Sequence, residues 1–418
     1  MSVVEKYRNK LNQNLGLINL FGKSFGRVLF LVLLSYLSFK LSVKEFADFA
    51  IIWSSLRLFT FYSANNLYII YFDKVRNFLI NKAQWPRRVS ANIIITCLFF
   101  SIIFFVASLF LFEELWVALI FIPCLLCYVI IRNLSEFAKA DNNLFLSIFI
   151  EDFMFYLLFF ISSLIGLAYF NNIFAVMVAL AISLVITTVV CLMLFKRKFK
   201  IEIRSYSIGM NDFSVKDFYL GFNYTILRGN EVLSNFGMRY LGQIYFGDLF
   251  VAYAHIMYQF YNVFSLLTVS VISGFQSKIT IRASQTMTKA FFMKMYKKML
   301  LTIAPFILAL LVVFIVLSDE LLLWFFPKYS EYGLLLIKVS LAGVLFTFVQ
   351  PFIFVLIYNK LFSNIHKLNY IQYVVMALVF TIPLFLPVIN EQFWLLLVLT
   401  IFVVIQGLFA LFNYNKLK

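Results

Sequence analysis

Five basic side chains, Lys23, Arg27, Arg57, Arg228 and Arg239, fall inside long apolar runs of a chain in which charged residues make up only 13%. A cation at the centre of a bilayer costs at least about 2.5 kcal/mol on insertion scales, so each of these should face protein or water and not lipid. Their chemistry is anion binding. A guanidinium fork matches phosphate or carboxylate oxygens in pairs, and an ammonium acts as a point charge. Glu231 is the main opposing charge within the runs, while Glu151 and Asp152 lie near the cytoplasmic end of theirs. A water-filled cavity with this balance attracts an anion.

Helical spacing groups these residues into stripes. At 100° per residue Ser54, Arg57, Phe61, Asn65 and Tyr68 share one face. Arg57 lies about eleven residues from the nearer end of its run, too deep for easy snorkelling. It reads as a cavity-lining, substrate-facing cation, with a buried structural ion pair as the alternative. Lys23 and Arg27 are spaced i, i+4, with Asn19 one turn earlier, so their heads converge. Tyr224, Arg228, Glu231, Asn235 and Arg239 form a third stripe in the segment 223–240. Either Arg228 and Glu231 pair with each other, leaving Arg239 as an external-side anchor, or the stripe is a substrate site with its own coupling carboxylate. A fourth stripe holds His255, Gln259, Asn262, Ser270 and Ser273. Its histidine is either hydrogen-bonded packing or a cavity wall able to titrate near neutral pH. The acidic candidates for ion coupling are Glu231, Glu151, Asp152 and Asp48.

Other chemistries fall away. "GKS" at 22–24 is no phosphate-binding loop, because Leu17 stands where the first glycine is required and the context is an apolar helix. Cys124 and Cys127 have CxxC spacing, but no second pair or nearby histidine completes a metal site, so no metal and no cofactor is expected. The net charge of +16 is cut into short clusters between apolar runs, which suits a membrane surface and not nucleic acid.

With 63% hydrophobic residues in 418, the chain holds more apolar side chains than a soluble core absorbs, so these stripes must ride on membrane helices. A helix needs roughly 20 apolar residues to cross the bilayer. Twelve spans are expected, at 15–37, 46–72, 91–112, 115–138, 144–169, 173–195, 218–245, 249–275, 298–318, 333–357, 369–389 and 392–413. The first is expected to stay uncleaved, since no small-residue cleavage site follows its long apolar run. Lys and Arg concentrate in alternate gaps, which places both termini in the cytoplasm, with Lys40, Lys44 and Lys328 as exceptions. The gaps 73–90 and 276–297 read as basic amphipathic surface helices.

FADFA at 46–50 and FVAYA at 250–254 each follow an acidic residue and open a long helix, which suggests a parallel repeat of two six-span halves, 1–205 and 206–418. In this overlay Glu231 matches Arg27. The expected fold is therefore all-α, with two six-helix lobes around a central cavity.

The stretches "YFGDLFVAYAHIMYQFYNVFSLLTVSVISGFQSKITIR", "IRNLSEFAKADNN" and "FFPKYSEYGLLLIKVSLAGVLFTFVQPFIFVLIYNKLFSNIHKLN" resemble the bacterial polysaccharide flippases of the multidrug/oligosaccharidyl-lipid/polysaccharide exporter superfamily. The second of these matches the family's loop after span 4. The resemblance implies a multi-pass protein of the bacterial inner membrane. Its cargo would be an undecaprenyl-diphosphate-linked oligosaccharide, such as an O-antigen repeat unit, flipped to the periplasmic leaflet. An ion gradient, of H+ or Na+, or the membrane potential would drive it. Partners implied are membrane lipids and other polysaccharide-assembly membrane proteins. Two alternatives stand beside it: a multidrug antiporter of the same superfamily, which should carry buried carboxylates in span 1, and an O-antigen polymerase or ligase, which should carry a large external loop.

Overall fold

The computed structural model describes residues 15–64, 67, 71, 87–112, 114–140, 144–199, 212–282, 289–358 and 362–414. These are almost wholly helical. In chain order the helices are α1 (Leu15–Lys40), α2 (Val43–Ala64), α3 (Arg87–Leu111), α4 (Leu115–Ala140), α5 (Leu144–Ile148), a π-helical turn (Phe149–Met154), α6 (Phe155–Tyr169) and α7 (Ile173–Phe199). Then follow α8 (Val215–Phe246), α9 (Asp248–Arg282), α10 (Lys289–Val316), α11 (Ser318–Phe325), a 3-10 turn (Pro327–Tyr332), α12 (Gly333–Tyr358), α13 (Phe362–Phe385) and α14 (Glu391–Tyr414). With α5, the π-turn and α6 as one rod, the twelve long rods among the described residues correspond to the twelve expected spans.

Short polar gaps start and stop these rods. Ser42 and Glu45 form a capping box at the head of α2: Glu45 N–H donates to Ser42 Oγ at 3.3 Å, and Ser42 N–H donates to Glu45 Oε2 at 3.0 Å. Asn172 Oδ1 accepts from Ala175 N–H at the head of α7, and Asn390 Oδ1 accepts from Gln392 and Phe393 N–H at the head of α14. Gly247, at φ +86°, lets the chain turn between α8 and α9 within one residue. Glu45 and Asp248 both sit in the first turn of a helix, where negative charge is favoured, which is a local reason for the recurrence of an acid before FADFA and FVAYA.

Eight rods are long and apolar enough to cross a membrane among the described residues: 88–111, 115–138, 146–169, 173–197, 296–316, 327–351, 367–385 and 391–412. The four long helices outside that set, α1, α2, α8 and α9, are those carrying the polar stripes. Lys23 and Arg27 lie on α1, Asp48 and Arg57 on α2, Arg228, Glu231 and Arg239 on α8, and His255, Gln259 and Asn262 on α9. Elsewhere large apolar side chains stand exposed, among them Phe110, Met193, Leu301, Val374 and Leu408. An apolar exterior of this kind is solvated by lipid.

The chain divides into two compact units with boundaries inside α2 and α8: Met1–Ala50 with Gly237–Lys418, and Ile51–Phe236. In the first unit α9 packs along both α1 and α12, and α12 along α14. The end of α1 is closed by the segment after α11: Ser35 Oγ donates to Phe325 O, and Lys328 Nζ donates to Leu41 O at 2.8 Å and to Phe39 O at 3.4 Å. Lys328, an exception to the charge pattern, thus caps the free carbonyls of a helix C-terminus. In the second unit α7 packs against α4 and α6, and α3 against α4. Trp53 is its aromatic hub, 1% exposed and stacked at 6.2 Å on Phe155 and 6.1 Å on Phe159.

Three expectations are corrected. Residues 289–297 are the first turns of α10 and no separate surface helix, because no proline or glycine interrupts the run from Lys289 into the span. Arg87 and Arg88 likewise open α3; residues 73–86 and 283–288 of the two expected surface helices lie outside the described residues. "IRNLSEFAK" belongs to α4 and is not a loop. Asp319 and Glu320 start a short helix, α11, whose Leu322 is fully buried, where a bare gap was expected.

Candidate anion-binding site

In the Ile51–Phe236 unit, Trp53, Arg57 and Phe61 recur every four residues along one face of α2. Tyr128, Arg132 and Ser135 do the same on α4 at steps of four and three. The two faces meet at two levels. The Trp53 ring lies 6.4 Å from that of Tyr128, and the Arg132 guanidinium lies 5.0 Å over the Phe61 ring. Arg57, midway between Trp53 and Phe61, is therefore flanked by both contacts. A guanidinium on an aromatic face keeps its edge donors available to an oxygen ligand.

The third wall is the π-turn and α6. Tyr128 stands within electrostatic reach of Arg57, Arg132, Glu151 and Tyr156, so the two arginines share one field with one carboxylate. Glu151 Oε2 accepts a hydrogen bond from Ser135 Oγ at 2.6 Å, and Ser135 lies 2.7 Å from Ser147 Oγ. A carboxylate only accepts, so Ser135 spends its proton on Glu151 and Ser147 donates to Ser135. The wide π-turn, a departure from α geometry often found at functional sites, carries Glu151 and Asp152, both half-buried.

The fourth approach comes from α8. A Cβ added at Gly229 would lie 2.8 Å from Tyr62 Oη and 3.6 Å from Phe61, so α8 passes close to α2 at the level of the Arg132 contact. Of the α8 stripe, Asn235 is buried with its Oδ1 lacking a hydrogen-bond partner, and Glu231 is exposed. The side chains of Tyr224 and Arg228, like that of Lys23 and all of Asn65, lie outside the described residues.

The other predicted residues sit in the first unit. Arg239 is fully buried with its guanidinium 5.3 Å over the Tyr258 ring. His255 is fully buried and boxed edge-on by Phe30, Phe46 and Phe49 at 6.4, 6.0 and 6.1 Å. Gln259 and Asn262 are buried beside it on α9, Asp48 is half-buried, and Arg27 is half-buried with its Nη1 lacking a hydrogen-bond partner.

Two features escaped sequence reading. Arg132 lies inside the expected span 115–138 but was not counted among its buried charges, while the family resemblance placed "IRNLSEFAKADNN" in a loop; counting Tyr128, Arg132 and Ser135 on one helical face, as for Arg57, exposes it. The second is a network at the heads of α3 and α8. Asp217 Oδ2 accepts from Tyr71 Oη at 2.8 Å and from Arg88 Nε at 3.0 Å, and Arg88 also donates to Ser214 Oγ. Ser214 and Asp217 have capping-box spacing, the only sequence signal there.

No protein-family model and no curated protein matches the sequence. Solved structures do match. An inward-facing multidrug resistance MATE family transporter of the MOP superfamily aligns over 94% of this chain and 95% of its own, with TM-score 0.72 and 11% identity. An outward-facing conformation of such a transporter aligns over 98% and 96%, with TM-score 0.63 and 12% identity. A MOP superfamily transporter from Pyrococcus furiosus, noted for the reverse polarity of its binding pocket, aligns over 98% and 96%, with TM-score 0.63 and 11% identity. Likeness at such identity is a likeness of fold. The chain is an all-helical, multi-pass membrane protein with the fold of the MOP-superfamily transporters.

Proposed function

We propose that the protein is a flippase that carries an undecaprenyl-diphosphate-linked oligosaccharide from the cytoplasmic to the periplasmic leaflet of a bacterial inner membrane. The halves that would alternate are residues 1–205 and 206–418. The observation that supports an anionic cargo is the placing of Arg132, whose guanidinium lies 5.0 Å over the Phe61 ring, one turn along α2 from Arg57. Such a site favours phosphate oxygens and repels an organic cation. The reverse-polarity pocket of the Pyrococcus furiosus transporter is a precedent for this fold with an altered pocket charge. Coupling to H+ or Na+ would fall to Glu151, Asp152, Glu231 or Asp48, and Arg27, Arg239 and Lys23 would be the cations of the other unit.

The second reading, a multidrug exporter, is favoured by the MATE transporters of the same fold. It requires a buried carboxylate opposite the drug; α1 offers Lys23 and Arg27 instead. Reconstituted protein separates the two. Wild type should move lipid-linked diphosphate glycan across vesicles and Arg57→Ala should not, while export of an organic cation without glycan movement would establish the second reading.

A further inference from the structure

We infer that Arg132 is the second cation that holds the diphosphate of the cargo, and that Glu151 is the resident negative charge which the diphosphate replaces. The inference rests on the anionic-cargo reading above. A diphosphate presents more oxygens than one guanidinium fork can meet, so a second fork is needed beside Arg57. Arg132 meets the requirements: it is half-buried, it shares the field of Tyr128 with Arg57, and the Phe61 face 5.0 Å below it fixes its plane. Arg57 and Arg132 lie within one turn of the same level on facing helices, so without cargo a carboxylate is needed to offset their charges. Glu151 does so while Ser135 and Ser147 orient it from behind. The serine relay holds the carboxylate on the wall, so Glu151 is a positioning residue for the empty site and a competitor of the bound anion.

Glu151 is held by Ser135 on α4, which Ser147 on α5 backs, it acts on Tyr128 on α4 and Cys191 on α7, Asp152 is adjacent, and Arg57, Arg132 and Tyr156 act on the same Tyr128. Arg57 and Arg132 are the cations of this group, so removing the charge of Glu151 should raise their attraction for phosphate. A role in packing alone predicts the opposite sign for Glu151→Gln.

The test measures binding of inorganic pyrophosphate to the purified full-length protein in detergent, and of polyprenyl diphosphate presented in vesicles, at one ionic strength. Arg132→Ala should weaken both by about tenfold or more, and Arg132→Lys, which keeps the charge but loses the fork, should fall between. Glu151→Gln should tighten both. Loss confined to pyrophosphate would still assign Arg132 to the phosphates but make the ligand a soluble anion. Thermal melting checks that each variant is folded, and Arg132→Lys serves if Arg132→Ala is not. Unchanged binding in the Arg132 variants alongside loss in Arg57→Ala overturns this inference and leaves the flippase reading intact, as does weaker binding in Glu151→Gln. A wild-type protein that binds neither diphosphate overturns both.

Discussion

Lys328 and Arg132 are basic residues whose roles depend on what stands across from them. Lys328 closes the carbonyl end of α1 through Leu41 and Phe39, so Lys328→Ala should lower stability by about 1 kcal/mol, read as a lower melting temperature in detergent, with Lys328→Arg milder. Trp53→Ala removes the ring against which Tyr128, Phe155 and Phe159 stack and should cost about 3–5 kcal/mol, seen in the same melt. The position of Arg57 deep in an apolar helix was legible in the sequence, because depth in an apolar run is a one-dimensional property. Lys328's carbonyl partners were not, because they lie 287 and 289 residues away and no local pattern encodes them. Arg132 was legible in principle but lay near the end of its run, where helix and loop compositions converge.

At the scale of elements, hydropathy located the rods, and their ends were decided by polar residues in the gaps. Span 9 extends to Lys289 because helix propensity continues where hydropathy stops; the lysines there cost nothing outside the bilayer. Ser42→Ala should remove the capping box of α2 and cost about 1 kcal/mol, measurable as faster amide exchange in its first turn. Where α8 meets α9, a Cβ on Gly242 would run into the ring of Phe250, which is fully buried and cannot retreat. Gly242→Ala should therefore cost about 1–3 kcal/mol by overpacking, detected as a lower melting temperature that Phe250→Leu partly restores. Close approaches of this kind appear in a sequence only as a glycine among other glycines. The π-turn was equally hidden, since nothing in "FIEDFM" distinguishes it from an ordinary helical turn.

For the whole molecule, composition alone indicated membrane helices, and the count of twelve followed from apolar run length. The selection of four helices by their polar stripes was also legible: α1, α2, α8 and α9 carry charges that lipid penalises, and they are the long helices left out when apolar spans are chosen. What one dimension could not give was the grouping of charges in space, because Arg57, Arg132 and Glu151 come from three rods separated by up to 94 residues (57 to 151). That grouping is what the proposed anionic cargo rests on. The decisive measurement is translocation of a lipid-linked diphosphate oligosaccharide by the purified protein in sealed vesicles, run beside Arg57→Ala. Movement by wild type and its loss in a folded Arg57→Ala protein is the predicted result. Equal movement by both, or no glycan movement from a protein that exports an organic cation, would contradict it.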